Sequence, residues 1–248
     1  MKGFLNKLLG ALLLGTRRDA WNEQPLYSAV ARQRKTLMRI WRNDGYQDFG
    51  IERLIRLLLV VSQFVFPGLY IKEYFGRFGH QWRMLGVEFY VLAKLVLPLL
   101  LFKLNLTGAE WALYLMSYMM VETILYLTSL IYLTDVLNRP SNIRRSTTLM
   151  LINYVELGLE YAVLYSYFSI HIPEFFAKPL SGDLDAIYFS FVTSATVGYG
   201  DNYPVHETGR MLVITQLFLF LVFVGLFVNF FTTKIHDVPY SNEEDING

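Results

Sequence analysis

Long apolar runs separated by short polar stretches organise the chain. Five of them reach or approach the length of a bilayer crossing: 53–72, 85–103, 109–136, 147–170 and 208–233. A helix needs about 20 apolar residues to cross a hydrocarbon core of ~30 Å, so each predicts a membrane helix. The first is the poorest, because Pro67-Gly68 falls near its end. A shorter apolar stretch, SGDLDAIYFSFVTSA (181–195), leads directly into the polar TVGYGD of Thr196–Asp201. The N-terminal GFLNKLLGALLLG has the look of a leader, but the basic region after it lacks a small-residue cleavage site. Residues 3–14 are therefore read as an interfacial amphipathic helix.

Composition fits this pattern. Of 248 residues, 54% are hydrophobic, 16% aromatic and 17% charged, and the mean hydropathy is +0.33. Such a chain belongs to the multi-pass membrane class rather than to soluble domains. A net charge of +1 gives no reason to expect a nucleic-acid partner. The absence of cysteine excludes disulfides, thiolate metal sites and cysteine nucleophiles. No His/Asp/Glu group has metal-ligand spacing and no Ser–His pairing stands out, so no enzyme is expected.

Charge orients the runs. Arg17, Arg18, Arg32, Arg34, Lys35, Arg39 and Arg42 favour a cytoplasmic N-terminus, as Arg139, Arg144 and Arg145 do for NRPSNIRRSTT. The loop 72–84, with Lys72, Arg77 and Arg83, also prefers the inside, and KLNLTG at 103–108 then lies outside. These assignments agree only if 53–72 lies along the interface or re-enters. The expectation is four spans in the cell membrane with both termini cytoplasmic. The expected divisions are a basic N-terminal segment 1–52, accessory membrane helices 53–146, a helix–loop–helix unit 147–233 and a polar tail 234–248, with no segment that reads as a soluble module.

About a dozen apolar residues before Thr196 cannot cross a bilayer as a helix. Asp183 and Asp185 suit the positive end of a helix dipole, and Ser181 or Asp183 could cap it. A half-helix returning as non-helical backbone is tolerated within a membrane only where protein or water surrounds it. Gly198 and Gly200 can take positive φ, which lets successive carbonyls turn to one side. Thr196 adds a hydroxyl, while Val197 and Tyr199 would point away and pack on the short helix. One chain supplies one row of oxygens. A dehydrated cation needs oxygens all round, which implies a homo-oligomer with cyclic symmetry.

TVGYGD resembles the selectivity filter of tetrameric potassium channels. FSFVTSATVGYGDNYPV is similar to the pore helix, filter and outer mouth of that family, and Gly209-Arg210 stands where inner helices of bacterial members begin. The resemblance covers 147–233; residues 1–146 resemble no family. It implies an all-α membrane fold of outer helix, re-entrant pore helix, filter and inner helix in a homotetramer, preceded here by additional membrane helices. It further implies passive, K⁺-selective conduction, with K⁺ held by the carbonyls of Thr196, Val197, Gly198 and Tyr199 and by the Thr196 hydroxyl. Gly200 completes the filter, Asp201 braces it, and aromatics of the pore helix hold Tyr199. Tyr188-Phe189 replace the usual tryptophan pair, Val192 stands where some members have an acidic residue, and Ala195 replaces a threonine. Phe220 occupies the frequent hinge-glycine position, leaving Gly225 as the candidate hinge. The axis-facing row carried over is Leu221, Val224, Val228 and Thr232, with Val228 the constriction. A weakly selective cation pore, disfavoured by Tyr199, and a non-conducting subunit or membrane-state sensor are the alternatives.

A voltage sensor needs arginines at every third position of a span, and none has them. The run 109–136 holds Glu110, Glu122 and Asp135 but neither Lys nor Arg. Residues 53–136 are open to three readings: lipid-facing scaffold, sensor of membrane or lipid state, or docking surface for other subunits. Glu156 and Glu160, one turn apart, allow proton sensing or pairing with Lys94, and equally a contact with a polar neighbouring helix.

Overall fold

A computed structural model describes residues 28–43, 49–133 and 143–235. The expected interfacial helix at 3–14, Arg139 and the tail beyond Ile235 lie outside the described residues. Among the described residues every regular element is helical: α1 (Ala29–Arg42), α2 (Gly50–Ser62), α3 (Pro67–Gly76), α4 (His80–Lys103), α5 (Glu110–Tyr132), α6 (Ile143–His171), α7 (Asp183–Ser194) and α8 (Glu207–Ile235). The all-helical expectation therefore holds for them.

Helices α4, α5 (to Leu130) and α8 (to Gly225) are long and apolar enough to cross a membrane. The run 53–72 is no straight span. It breaks into α2 and α3, bent by 56°, and Pro67 opens α3 where its missing N–H is tolerated. The basic loop expected at 72–84 shrinks to a turn, because α3 runs to Gly76 and α4 begins at His80. The expected span at 147–170 corresponds to α6. α6 has 29 residues, ample length, but it falls outside the helices apolar enough to cross. Asn153, Glu156, Glu160, Tyr161 and Tyr165 lower its hydropathy, and all five are buried in protein.

The chain divides into two compact units, Met1–Leu97 with Thr128–Ile143 and Pro98–Leu127 with Arg144–Gly248. In the first, α1 packs on α2 and α3. Ser28 caps α1 by accepting from the Ala31 N–H at 3.1 Å, and Asn43 closes it in the left-handed conformation. The Glu73 carboxylate of α3 accepts from the Ser28 hydroxyl (2.9 Å) and from the Ala29 and Val30 amides (2.6 and 3.3 Å), placing negative charge on the positive end of α1. In the second unit, residues 156–167 of α6 are buried on every side, which marks this helix as the centre of the unit. The Thr123 hydroxyl of α5 donates to Glu156 at 3.1 Å, and the Ser166 hydroxyl donates to Thr107 at 3.0 Å.

Candidate functional site

The short apolar stretch forms α7, 12 residues long, or about 18 Å at 1.5 Å per residue. Its N-terminus departs from expectation. Gly182 is the N-cap and no side chain caps the helix. Asp185 instead reaches back to accept from the Ser181 N–H (2.7 Å) and hydroxyl (2.5 Å). Those bonds hold its carboxyl below the ordinary carboxylate range. Asp185 thus spends its Oδ2 on the loop rather than on the orphan amides that Ser181 or Asp183 was expected to satisfy.

The back of α7 is fixed by polar contacts. Gln216 of α8 is fully buried, and its amide nitrogen lies 3.0, 2.9 and 2.7 Å from the Ser190 carbonyl, Ser190 Oγ and Ser194 Oγ. Its amide oxygen accepts from the Tyr165 hydroxyl of α6 at 2.7 Å. Ser190 in turn donates to the Gly158 carbonyl at 2.6 Å, and Ser194 donates to the Ser190 carbonyl at 2.8 Å. A Cβ on Gly158 would lie 2.9 Å from the Phe191 ring, so the helices approach this closely only because the side chain is absent. Three helices are pinned at one buried point. Sequence reasoning singles out none of these residues. The available signal is a lone glutamine inside MLVITQLFLFLVFV, since a polar side chain in an apolar span is rare and needs a partner.

Aromatic rings fix the outer loop. Phe189 packs edge-on against Tyr165 and Phe176, with both centroid distances 4.9 Å. Within one chain these contacts set Phe189 against the scaffold behind α7. Residues after that segment return to the α6–α7 connection: Phe176 bridges Pro204, the Val205 N–H donates to the Phe175 carbonyl at 3.0 Å, and Asn202 exchanges hydrogen bonds with Lys178 at 3.0 Å. A Cβ on Gly209 would lie 2.5 Å from Pro204 and 2.9 Å from Phe175, which explains a glycine at the start of α8. The Tyr188 hydroxyl lies close enough to the Asp201 carboxylate for the two to interact.

The segment 195–200 leaves α7 through bonds from the Thr196 N–H to the Thr193 carbonyl (3.0 Å) and from the Val197 N–H to the Val192 carbonyl (3.1 Å). Thr196, Gly198 and Gly200 have φ of 55°, 55° and 73°, alternating with Val197 and Tyr199. The glycines follow from the sequence. Positive φ at a β-branched threonine does not, and it is a strained conformation. Alternating φ of this kind is the pattern in which successive peptide groups can turn the same way, N–H groups to one side and carbonyls to the other. Val197 is 50% and Tyr199 69% exposed. Within one chain both side chains are largely open.

On α8, Phe220 is buried and meets Tyr154 edge-on at 4.8 Å; the expected hinge position is a packing position. Leu221, Val224 and Val228 are exposed, nothing lies within 4 Å of a Cβ placed on Gly225, and the Thr232 side chain lies outside the described residues.

Residues 155–237 match the sequence model of a family, Ion_trans_2, described as ion channel. Two pore potassium channel a of Oryza sativa subsp. japonica is 39% identical over 61 residues, which cover 25% of this chain and 16% of that protein. The chain thus matches about a sixth of the length of this curated relative. No solved structure matches the chain. The match to the ion-channel model takes in most of α6, all of α7, the TVGYGD loop and α8.

Proposed function

We propose that four copies of the chain assemble around an axis as a potassium-selective channel. K⁺ would pass passively along the carbonyls of Thr196, Val197, Gly198 and Tyr199 and the Thr196 hydroxyl, with Gly200 completing the filter. The observation that carries this reading is the alternating hand of residues 196–200. An exposed row of backbone carbonyls, set at the end of a half-helix beside an apolar helix, suits a place where it replaces the water around an ion.

Several features support it. α7 directs its C-terminal, negative end toward the segment, which favours a cation there. Met211, Ile214, Phe218 and Leu221 form an exposed apolar row on α8 at helical spacing, available for neighbouring copies or for the pore wall. The polar side chains that make α6 a poor solitary span are enclosed by protein, so its length can still serve an outer helix. Tyr188 and its contact with Asp201 take the bracing role at the mouth; Val192 contributes through its carbonyl to the turn into the filter. Val228 is the constriction, with Leu221, Val224 and Thr232 along the same row and Gly225 as the flexible point.

Purified protein reconstituted in liposomes tests the reading. Rb⁺ taken up against a K⁺ gradient, together with a native mass of four chains, is the expected result. Equal Na⁺ and K⁺ fluxes would leave only a cation pore, and no flux from a folded tetramer would leave only a scaffold.

A further inference from the structure

α1 carries five basic residues and no acidic one in its 14 positions. Gln33 and Ile40 are its buried residues. With 3.6 residues per turn, the opposite arc runs through Arg34, Arg42, Lys35, Arg39 and Arg32, and all five are exposed. Glu73 cannot neutralise this arc, since it is engaged at the start of α1 by Ser28, Ala29 and Val30. Arg32 lies close enough to Arg83 for one charge to act on the other. Arg83 stands in the first turn of α4, a helix fit to cross a membrane, so its level is the membrane–water boundary. Trp82 beside it is 51% exposed, and Trp41 at the edge of the α1 arc is 67% exposed. Both suit that boundary. α2, packed on α1, exposes Ile51, Leu54, Leu58 and Val61 at helical spacing.

We propose that the cationic face of α1, with Arg83 at its edge, is a docking surface for anionic phospholipid headgroups. Like charges gathered at one level repel one another, and a layer of phosphates relieves that repulsion. Arginine forks bind phosphate oxygens in pairs. The partner is the lipid surface itself rather than a soluble phosphate, because the site is tied to the first turn of α4.

The test uses the full chain, stripped of lipid in a neutral detergent and offered phosphatidylglycerol or phosphatidylcholine, with bound lipid counted by native mass spectrometry. The parent should retain phosphatidylglycerol preferentially. Arg32→Gln with Arg34→Gln should lower that affinity, about fivefold for each charge removed. Arg39→Gln with Arg42→Gln, at the other end of the helix, should do the same and serves if the first variant fails to fold. Equal retention of the two lipids by the parent, or an unchanged preference in both folded variants, would overturn the proposal. So would displacement of phosphatidylglycerol by millimolar inorganic phosphate, which would mark a soluble-anion site. The readout involves no conduction, so it stands or falls apart from the channel reading.

Discussion

α7 and the segment that follows it are joined end to end, yet they are held in different ways. α7 is clamped within its own chain: Ser190 and Ser194 bond to Gln216, Gln216 to Tyr165, and Ser190 to Gly158. The segment 196–200 has positive φ at three of its five residues, and Val197 and Tyr199 are largely open. Only its first two amides are tied back, to Thr193 and Val192. A single chain thus supplies a rigid mount and an unfinished strand. In the proposed tetramer the missing support comes from neighbouring copies and from the ion, so damage to the mount should appear as lost stability and damage to the strand as lost function.

The largest effect on stability is expected from Gln216→Leu. It removes the partner of Tyr165 and of two serines at a fully buried point, and each buried polar group left unsatisfied costs about 1–3 kcal/mol. Thermal unfolding in detergent should show a clear drop. An unchanged midpoint would mean that the network does not hold α7. Gly209→Ala tests the outer end of the mount. Its Cβ would meet Pro204 at 2.5 Å, and relief by backbone movement should cost about 1–3 kcal/mol.

Gly198→Ala inverts the pattern. Nothing lies within 4 Å of the added Cβ, so the stability cost is the penalty of positive φ alone, about 1–2 kcal/mol. Flux, however, should fall steeply, because a side chain disfavours the conformation that aligns the carbonyls. Retained K⁺ flux in this variant would separate conduction from the alternating hand. The smallest structural effect belongs to Gly225→Ala. Its Cβ has open space, and alanine favours helix by about 1 kcal/mol. Stability should hold or rise slightly while open probability falls and selectivity stays the same; an unchanged open probability would remove Gly225 as the hinge.

The mount and the strand are also unequally legible in the sequence. The length of α7, the boundaries of α8 and the glycines at 198 and 200 follow from apolar run length and from the few residues that tolerate positive φ. Thr196 in the left-handed region does not follow, because local preference argues against it and only the surrounding structure imposes it. The contacts that Phe189 makes within its own chain are hidden for a related reason. Adjacent aromatics on a helix point about 100° apart, so Tyr188 faces Asp201 while Phe189 turns back into Tyr165 and Phe176. The Gln216 network is hidden from sequence because its partners lie 22 to 51 positions away along the chain. Apolar periodicity reports which face is buried and is silent on what that face touches. The same gap makes 147–170 read as a plain span, when its carboxylates and tyrosines are in fact interior groups of the second unit.

The central claim is that residues 196–200 of several copies together replace the hydration of K⁺. Reversal potentials of the reconstituted protein, with K⁺ on one side of a bilayer and Na⁺ on the other, test it most directly. The parent should show a strong K⁺ preference. Tyr199→Asp, which alters an exposed side chain and leaves the α7 mount intact, should move the reversal potential toward zero while current persists. A parent that discriminates poorly between the two ions, or a Tyr199→Asp variant as selective as the parent, would contradict the account.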